Sequence, residues 1–476
     1  MIALLAPVDS PSGIWEHGDV PFSSARTLRL ERRLTPADRA ASDYLMLPFE
    51  VPAGTARLAV RYAYDGQQVA GSGNEIDLGL VDPRGADFPE FPGFRGWSGN
   101  ARRSAVISPK VATPGYLPGP MTAGTWQVLL GLYKLRAEGC RILVEVSMPA
   151  KEEEEEGEEE EPLGAKQVQA PARRPGSGQA AGGGRPQWLR GDLHAHTHHS
   201  DAPGSLDGLV AAAHSAGLDF LAVTEHNTVS HLPFLTSGSE PVLIPGVEVT
   251  TYYGHTNVWG VKSMIDFRCR TAEQMRCLLE LAHGRHLVAS ANHPYATGMP
   301  WTFGFDLPLD AIEVWHGPMV AETEATLRTW DDLLRRGRRL VAVGGSDTHW
   351  GESVAAQRLA QPTTWVLAEV RSVESVLEAI GRGRVTMAER GAPCPELTAS
   401  RDGGRWTVGD QVPPGGPVRI SCEGVPAGVE VVLKTAQGPI DGSAVDLGAH
   451  RYVRAEFRRR RDGSLVAMTN PIFAAG

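Results

Sequence analysis

The chain has 476 residues, 42% of them hydrophobic, and a net charge of −10 at pH 7. It is too long for one ordinary core, and two or three domains are predicted. Nine glutamates between Glu152 and Glu161 carry most of the charge, so the rest of the chain is nearly neutral and offers no basic field for duplex nucleic acid. No run of about eighteen apolar residues predicts a membrane span, and the opening MIALLAPVDSPSG lacks the basic region of a signal peptide. The five cysteines have no CxxC spacing and an odd number, which favours reduced thiols in a cytoplasm over a disulfide framework.

Residues 1–150 alternate apolar and polar positions over Leu58–Tyr62, Glu75–Val81, Thr125–Tyr133 and Arg141–Val146, with Pro-Gly and Ala-Gly turns between them. A β-sandwich-like domain is predicted, structural or oligomerising in role, and a homo-oligomer is compatible with it. A competing reading has its aromatic loops, Phe88 to Trp97 or Ser108 to Tyr116, close over a neighbouring active site. Residues 151–187 combine the self-repelling glutamates with PARRPGSGQAAGGG and read as a disordered linker. Replacing residues 151–180 by a neutral flexible segment is therefore expected to leave the function of the folded domains nearly unchanged. A large loss of function in folded protein would contradict that expectation.

From 188 to 394 the pattern changes to strand, loop, helix. Predicted strands Asp219–Val223, Val242–Thr250, Leu287–Ala291, Ala311–Val314, Leu340–Val343 and Thr364–Leu367 are interleaved with predicted helices. These are Ser205–Gly217, one capped by Thr271, one through Leu327 and Leu334, and Val373–Ile380. Polar residues follow nearly every strand, which predicts a closed or nearly closed parallel barrel with its site at the carboxyl ends. No G-x-G-x-x-G or Walker A fingerprint supports a nucleotide fold. Residues 395–476 return to short strands and predict a small all-β domain.

Thirteen of the fifteen histidines lie between His194 and His349. His194 and His196 sit two apart after an apolar run, so strand periodicity puts both imidazoles on one face. Repeated His, Asp and Glu at strand ends point to a metal site, and a bridging carboxylate among them suits two cations sharing one hydroxide. Mixed imidazole and carboxylate ligands accommodate Zn, Mn or Fe.

The ordered fragments D-L-H-A-H-T-H-H-S-D (192–201), T-E-H-N (224–227), P-G-V-E-V-T (245–250), G-H (254–255), N-H-P (292–294) and G-S-D-T-H (345–349) resemble the PHP (polymerase and histidinol phosphatase) superfamily. Within it they are most similar to the CehA/McbA-type metallohydrolases. The resemblance covers roughly residues 188–390. It implies a distorted seven-stranded (β/α) barrel of PHP type, here flanked by the N-terminal and C-terminal β-sandwich-like domains, with two or three divalent metal ions. On that resemblance His194, His196, Glu248 and Asp347 hold the first metal. Glu248 bridges to a second held by His255 and His293, and Asp201, His226 and His349 hold a third.

Several neighbours are weaker candidates. His198 and His199 are adjacent and cannot both point inward; Glu225 is read as a supporting or structural acid; His316 either touches substrate or caps its strand. His214, His283 and His286 are read as surface or packing residues. Lys262 and Arg384 are the candidate cations for an anionic substrate. Tyr252, Tyr253, Trp259, Tyr295, Trp301, Trp315 and Trp350 lie beside predicted strand ends and could wall an aromatic one. The predicted function is hydrolysis of a small molecule, first as a phosphoesterase using a metal-activated water at a di- or trinuclear centre. The alternative is an ester, amide or carbamate hydrolase of an aromatic compound. A third reading, of another class, is a binding protein with structural metals.

Overall fold

A computed structural model describes residues 27–66, 73–149, 185–236, 238–318, 320–349 and 358–475. The linker tract up to residue 184 and Trp350 lie outside the described residues. The chain divides into two compact units, Met1–Gly85 with Gly93–Ala172, and Ala86–Pro92 with Arg173–Gly476.

In the first unit β1 (Thr27–Leu34), a short helix α1 (Pro36–Ala41), β2 (Tyr44–Val51), β3 (Leu58–Tyr64), β4 (Glu75–Val81), β5 (Phe94–Gly99), β6 (Ser104–Ile107), β7 (Gly124–Lys134) and β8 (Cys140–Ser147) follow in order. They form two four-stranded sheets, β1-β8-β3-β6 and β2-β7-β4-β5. One core fills the space between the sheets, with Leu58, Val60, Ile142 and Val144 from the first meeting Phe49, Leu78, Trp126 and Val128 from the second. Alternation along each strand supplies those inward faces, as the sequence pattern predicts. Buried Tyr62 donates its hydroxyl to the Ile76 carbonyl at 2.6 Å, which ties one sheet to the other.

The second unit contains β9 (Gln187–Asp192), α2 (Leu206–Ser215), β10 (Phe220–His226), β11 (Val242–Thr251), β12 (Gly254–Trp259), α3 (Ala272–Gly284), β13 (Val288–Ala291), β14 (Ala311–His316), α4 (Val320–Arg335), β15 (Val341–Gly345), β16 (Thr363–Ala368), α5 (Val373–Gly381) and β17 (Val385–Ala388). The helices begin where the caps predict: Ser205 accepts from Gly208 N, and Thr271 with Gln274 forms a capping box. The strands lie in the order β15-β14-β13-β12-β11-β10-β9-β16-β17. Strands β9, β10 and β11 are parallel, as are β13, β14 and β15.

This sheet is mixed, which corrects the expectation of an all-parallel series. Only Tyr252 and Tyr253 separate β11 from β12, too short a connection for a crossover helix, so β12 returns antiparallel and also meets β13 antiparallel. The sheet also curls. The Thr364 hydroxyl of β16 donates to Gly344 O of β15 at 2.8 Å. Beyond β9 and β15, Asp347 N donates to His194 O at 2.9 Å and His196 N to Thr348 O at 3.1 Å. An isolated parallel bridge joins Ala195 to Thr348. The ends of β9 and β15 therefore meet, although they stand far apart in the pairing order.

Strand β17 pairs antiparallel with Leu465–Thr469, so the C-terminal strands continue the same sheet. They share a core of Leu397, Val418, Val453, Phe457 and Ile472 with a small four-stranded sheet that contains Glu396–Arg401. Ala86–Pro92 belongs to this second unit, where Phe91 packs on Phe267 at 6.1 Å between ring centroids. Among the described residues no helix is long and apolar enough to cross a membrane.

Candidate metal centre

Each predicted ligand but Asp201, which lies on the loop between β9 and α2, sits at or near a strand end on the side where β9 and β15 meet. His226 ends β10, Glu248 lies near the end of β11, and His255 opens β12. Because β12 runs back, His255 lies beside Thr250 in the ladder, next to the ligand end of β11. His194 and His196 follow β9, His293 follows β13, and Asp347 and His349 follow β15. Gly345 is required here, because a Cβ at that position would collide with His194 and with Glu313. His293 and Asp347 both adopt positive φ, 25° and 48°. That strain is of a kind that persists where surrounding contacts fix a functional side chain.

Glu248 is fully buried and organises the cluster. Its Oε1 lies 3.3 Å from His194 Nε2, 3.1 Å from His255 Nδ1 and 3.2 Å from His293 Nε2. Its Oε2 lies 2.8 Å from His226 Nδ1 and 3.5 Å from His196 Nε2. Asp347 Oδ1 lies 3.0 Å from His196 Nε2 and 3.3 Å from His194 Nε2. On the more open side Asp201 Oδ1 stands 3.3 Å from His349 Nε2 and 3.7 Å from His226 Nε2, and those two imidazole nitrogens are 3.1 Å apart. Among the described residues four groups of ligand atoms result, each within 4.8 Å: His194, His196, Glu248 and Asp347; Glu248, His255 and His293; His196, Asp201, His226 and His349; and His293, Glu313 and His316, a grouping that no sequence fragment singled out. The first two are the sets the resemblance implies, and the third adds His196.

The cluster fits cations. His194 Nε2, both His196 nitrogens, Glu248 Oε2, His255 Nε2, His293 Nδ1 and Asp347 Oδ1 are buried without a hydrogen-bond partner. Buried polar atoms are ordinarily satisfied, so this concentration of orphans is what a metal-ligand set looks like without its ions. The charges agree. Burial alone would neutralise Glu248, yet the imidazoles of His194, His226 and His255 hold it well below the carboxylate range. Asp347 is likewise depressed against burial by His194, His196 and His316. His349, opposed by burial but facing Asp201 and Asp347, rises to about 10. His196, buried beside His226 and His349, falls to about 3. Protons on such imidazoles occupy the electrostatic role that divalent cations would take.

No family model and no curated protein matches the chain. Among solved structures it is similar to a two-domain protein from Bacteroides vulgatus ATCC 8482 containing a predicted PHP-like metal-dependent phosphoesterase. The identity is 19%, with 61% of this chain and 88% of that one covered, at a TM-score of 0.35. It is also similar to PsfC from Pseudomonas syringae PB-5123 at 18% identity, with 40% of this chain and 87% of that one covered, at a TM-score of 0.31. At TM-scores this low neither likeness bears on the chemistry, which rests on the ligand cluster.

Several supporting residues escaped the sequence reading. Glu313, buried within β14, lies 2.9 Å from His194 Nδ1 through Oε1 and accepts from His293 N at 2.9 Å through Oε2. It thereby turns His194 Nε2 toward Glu248 and Asp347, the usual arrangement behind a metal-ligating imidazole. Asn292 donates to Glu248 Oε1 at 2.9 Å, and Thr250 Oγ1 lies 2.6 Å from His226 Nδ1. An acid inside an apolar strand was the available signal for Glu313. Asp192 accepts from the backbone N–H groups of His194, Ser346 and Ala360.

The weaker candidates separate. Glu225 accepts from Thr197 N at 3.2 Å and from the Thr197 and Ser200 hydroxyls, so it shapes the loop that carries Asp201. Burial pushes its carboxyl up to about 7 despite those donors. His199 is buried with Nδ1 2.8 Å from Ser230 Oγ, and its ring stands 4.8 Å from His198. His316 Nε2 reaches Asp347 Oδ2 at 3.1 Å. His214 and His286 are exposed, and His283 pairs with Asp310 at 3.0 Å. Neither predicted cation reaches the centre. Lys262 is exposed beyond the far end of the returning β12, and Arg384 lies 3.5 Å from both Glu369 and Asp410. Trp259 is fully buried with its indole N–H on Leu193 O at 3.0 Å, a floor rather than a platform. Trp301 stacks edge-on with Phe303 at 5.1 Å and packs over Gly254, next to His255; Trp315 is buried.

Proposed function

We propose that the chain is a metal-dependent hydrolase of a small-molecule substrate, and that its first reaction class is phosphoester hydrolysis. The observation that carries the reading is Glu248, a buried carboxylate whose two oxygens together approach five imidazoles. Structural metal sites are closed and ordinarily served by four ligands. Here three of the four ligand groups are linked through Glu248 and His196, and one of them reaches solvent through Asp201, 43% exposed, and His349, 32% exposed. That arrangement favours catalysis over the binding-protein reading.

The proposed ligands are His194, His196, Glu248 and Asp347 for a first cation, Glu248, His255 and His293 for a second, and Asp201, His226 and His349 for a third, with Zn, Mn or Fe as the ions. Such cations would lower the pKa of a water and polarise the bond under attack. The chain's own residues supply the rest. Glu313 fixes the orientation of His194, Asn292 fixes Glu248, and the buried walls exclude bulk water. The exposed Asp201 and His349 mark where substrate enters. We further propose that residues 188–394 form a seven-stranded barrel of PHP type, closed by the bonds between His194–His196 and Asp347–Thr348. Residues 1–150 and 395–476 are proposed as flanking β domains, 151–187 as the linker, and the cytoplasm, suited to five free cysteines, as the location.

One observation favours the second reading, an ester, amide or carbamate hydrolase of an aromatic compound. With Lys262 and Arg384 away from the centre, a phosphoryl group depends on the cations and on backbone donors for its charge. Meanwhile Phe234, 59% exposed, stands 5.4 Å from the His199 ring on the loop after β10, and Tyr295, 43% exposed, follows the ligand His293. Protein loaded separately with Mn and Zn and offered phosphate monoesters, phosphodiesters, aryl esters and aryl carbamates decides between them. Metal-dependent phosphomonoesterase activity is expected. If aryl esters or carbamates turn over while every phosphate compound stays at background, the second reading replaces the first.

A further inference from the structure

Asp347 divides its two oxygens. Oδ1 faces His194 and His196, whereas Oδ2 is met by His316 Nε2 at 3.1 Å from the end of β14. The other nitrogen of that imidazole, Nδ1, lies 3.6 Å from Glu322 Oε2 in the first turn of α4. Glu322 is itself held, because Thr297 N donates to its Oε1 at 3.1 Å. Both side chains are largely buried, His316 at 17% exposed and Glu322 at 12%. His316 thus bonds Asp347, and Glu322 places a carboxylate behind that imidazole without a hydrogen bond to it, His316 Nδ1 and Glu322 Oε2 both being buried without a hydrogen-bond partner.

Helix α4 is not free to drift. Arg458 grips Glu324 through both of its terminal nitrogens, at 2.7 and 3.2 Å, and Arg454 holds Asp331 at 2.8 Å while stacking over Trp330. Glu456 lies between those arginines, 2.8 Å from Arg454 and 2.7 Å from Arg458. Arg454 is 1% exposed, and Glu456 is held below the usual carboxylate range by both guanidiniums despite burial. The C-terminal sheet therefore fixes the helix that delivers Glu322. Bidentate and buried pairs of this kind hold geometry more strictly than exposed ones.

We propose that His316, with the Glu322 carboxylate behind it, is a positioning residue for Asp347: by engaging Oδ2 it reserves Oδ1 for the first cation and fixes the angle at which it is offered. The inference rests on the metal-centre reading and assigns the C-terminal β strands a part in that centre, exerted through α4. An imidazole with a carboxylate behind it serves here as the partner of a ligating carboxylate, and loss of such outer partners typically weakens metal binding about 10–100-fold.

Co(II) is the probe, read by chelator competition for affinity and by its visible absorption for ligand geometry. In His316→Ala one bound equivalent is expected to weaken about 10–100-fold, with a changed visible band. His316→Gln, which keeps an N–H donor toward Oδ2, is expected to restore most of the affinity, and Glu322→Gln to show a smaller loss than His316→Ala. Because the Gln variants preserve size and polarity, they carry the test even where the alanine variant folds poorly. Affinity and spectrum unchanged in both His316→Ala and Glu322→Gln would overturn the positioning role while leaving the metal centre standing. Wild-type protein that binds no Co(II) would instead remove the metal centre and this inference with it.

Discussion

Glu248→Ala is expected to lose at least one bound metal equivalent and essentially all hydrolysis while keeping its fold. Loss of an outer partner costs about 10–100-fold, and Glu248 touches imidazoles of all three proposed sites at once, so the fall in turnover should exceed that range. The backbone should survive, because β11 is held by its ladders to β10 and β12 rather than by the side chain. Removing the carboxylate also takes the central anion from among five imidazoles, leaving Asp347 and Asp201 as the carboxylates that still face them. Elemental analysis beside circular dichroism is the measurement. A full metal complement with normal turnover would end the bridging assignment.

The ligand cluster was legible because its parts are local. Each fragment, such as His194-Ala-His196 or Asn292-His293-Pro294, ends a predicted strand, and period-two alternation with the strand–loop–helix rhythm places such ends on one side. Strand and helix positions follow from the same periodicity, and the caps at Ser205 and Thr271 from their hydrogen-bonding side chains. The hairpin was not legible. Gly254–Trp259 carries no clean alternation, being buried at every position, and a strand covered on both faces leaves no polar stripe to read. The supporting acids were missed for a different reason. Glu313, Glu322 and Asp192 each depend on a partner more than twenty residues away, His194, Thr297 and Ser346, and sequence spacing says nothing about such pairings. Lys262 and Arg384 are candidates by charge alone, and charge does not tell which end of a strand a residue occupies.

Asp192→Ala is expected to cost both stability and metal binding, because one buried carboxylate joins three separate chain segments. Its Oδ1 accepts from His194 N at 3.1 Å and Ser346 N at 3.0 Å, and its Oδ2 from Ala360 N at 2.6 Å. The residue is 0% exposed, and burial raises its carboxyl above the ordinary range despite those donors. A buried donor left without an acceptor costs about 1–3 kcal/mol, so three together predict a loss on the order of 3 kcal/mol or more. The same change loosens the segment carrying His194 from the segment carrying Asp347, leaving the backbone bonds between His194–His196 and Asp347–Thr348 and the Ser346 hydroxyl on His194 O to hold the two ends in register. Asp192→Asn separates the effects. Its amide oxygen can still accept from His194 and Ser346, while its NH2 would face the Ala360 N–H donor to donor, so a smaller loss of stability and largely retained metal affinity are expected. Chemical denaturation of the two variants, with metal titrations on each, gives the comparison. Equal stability of Asp192→Ala and wild type would show that water replaces the carboxylate at no cost, and that the convergence of β9 and β15 is held by other contacts.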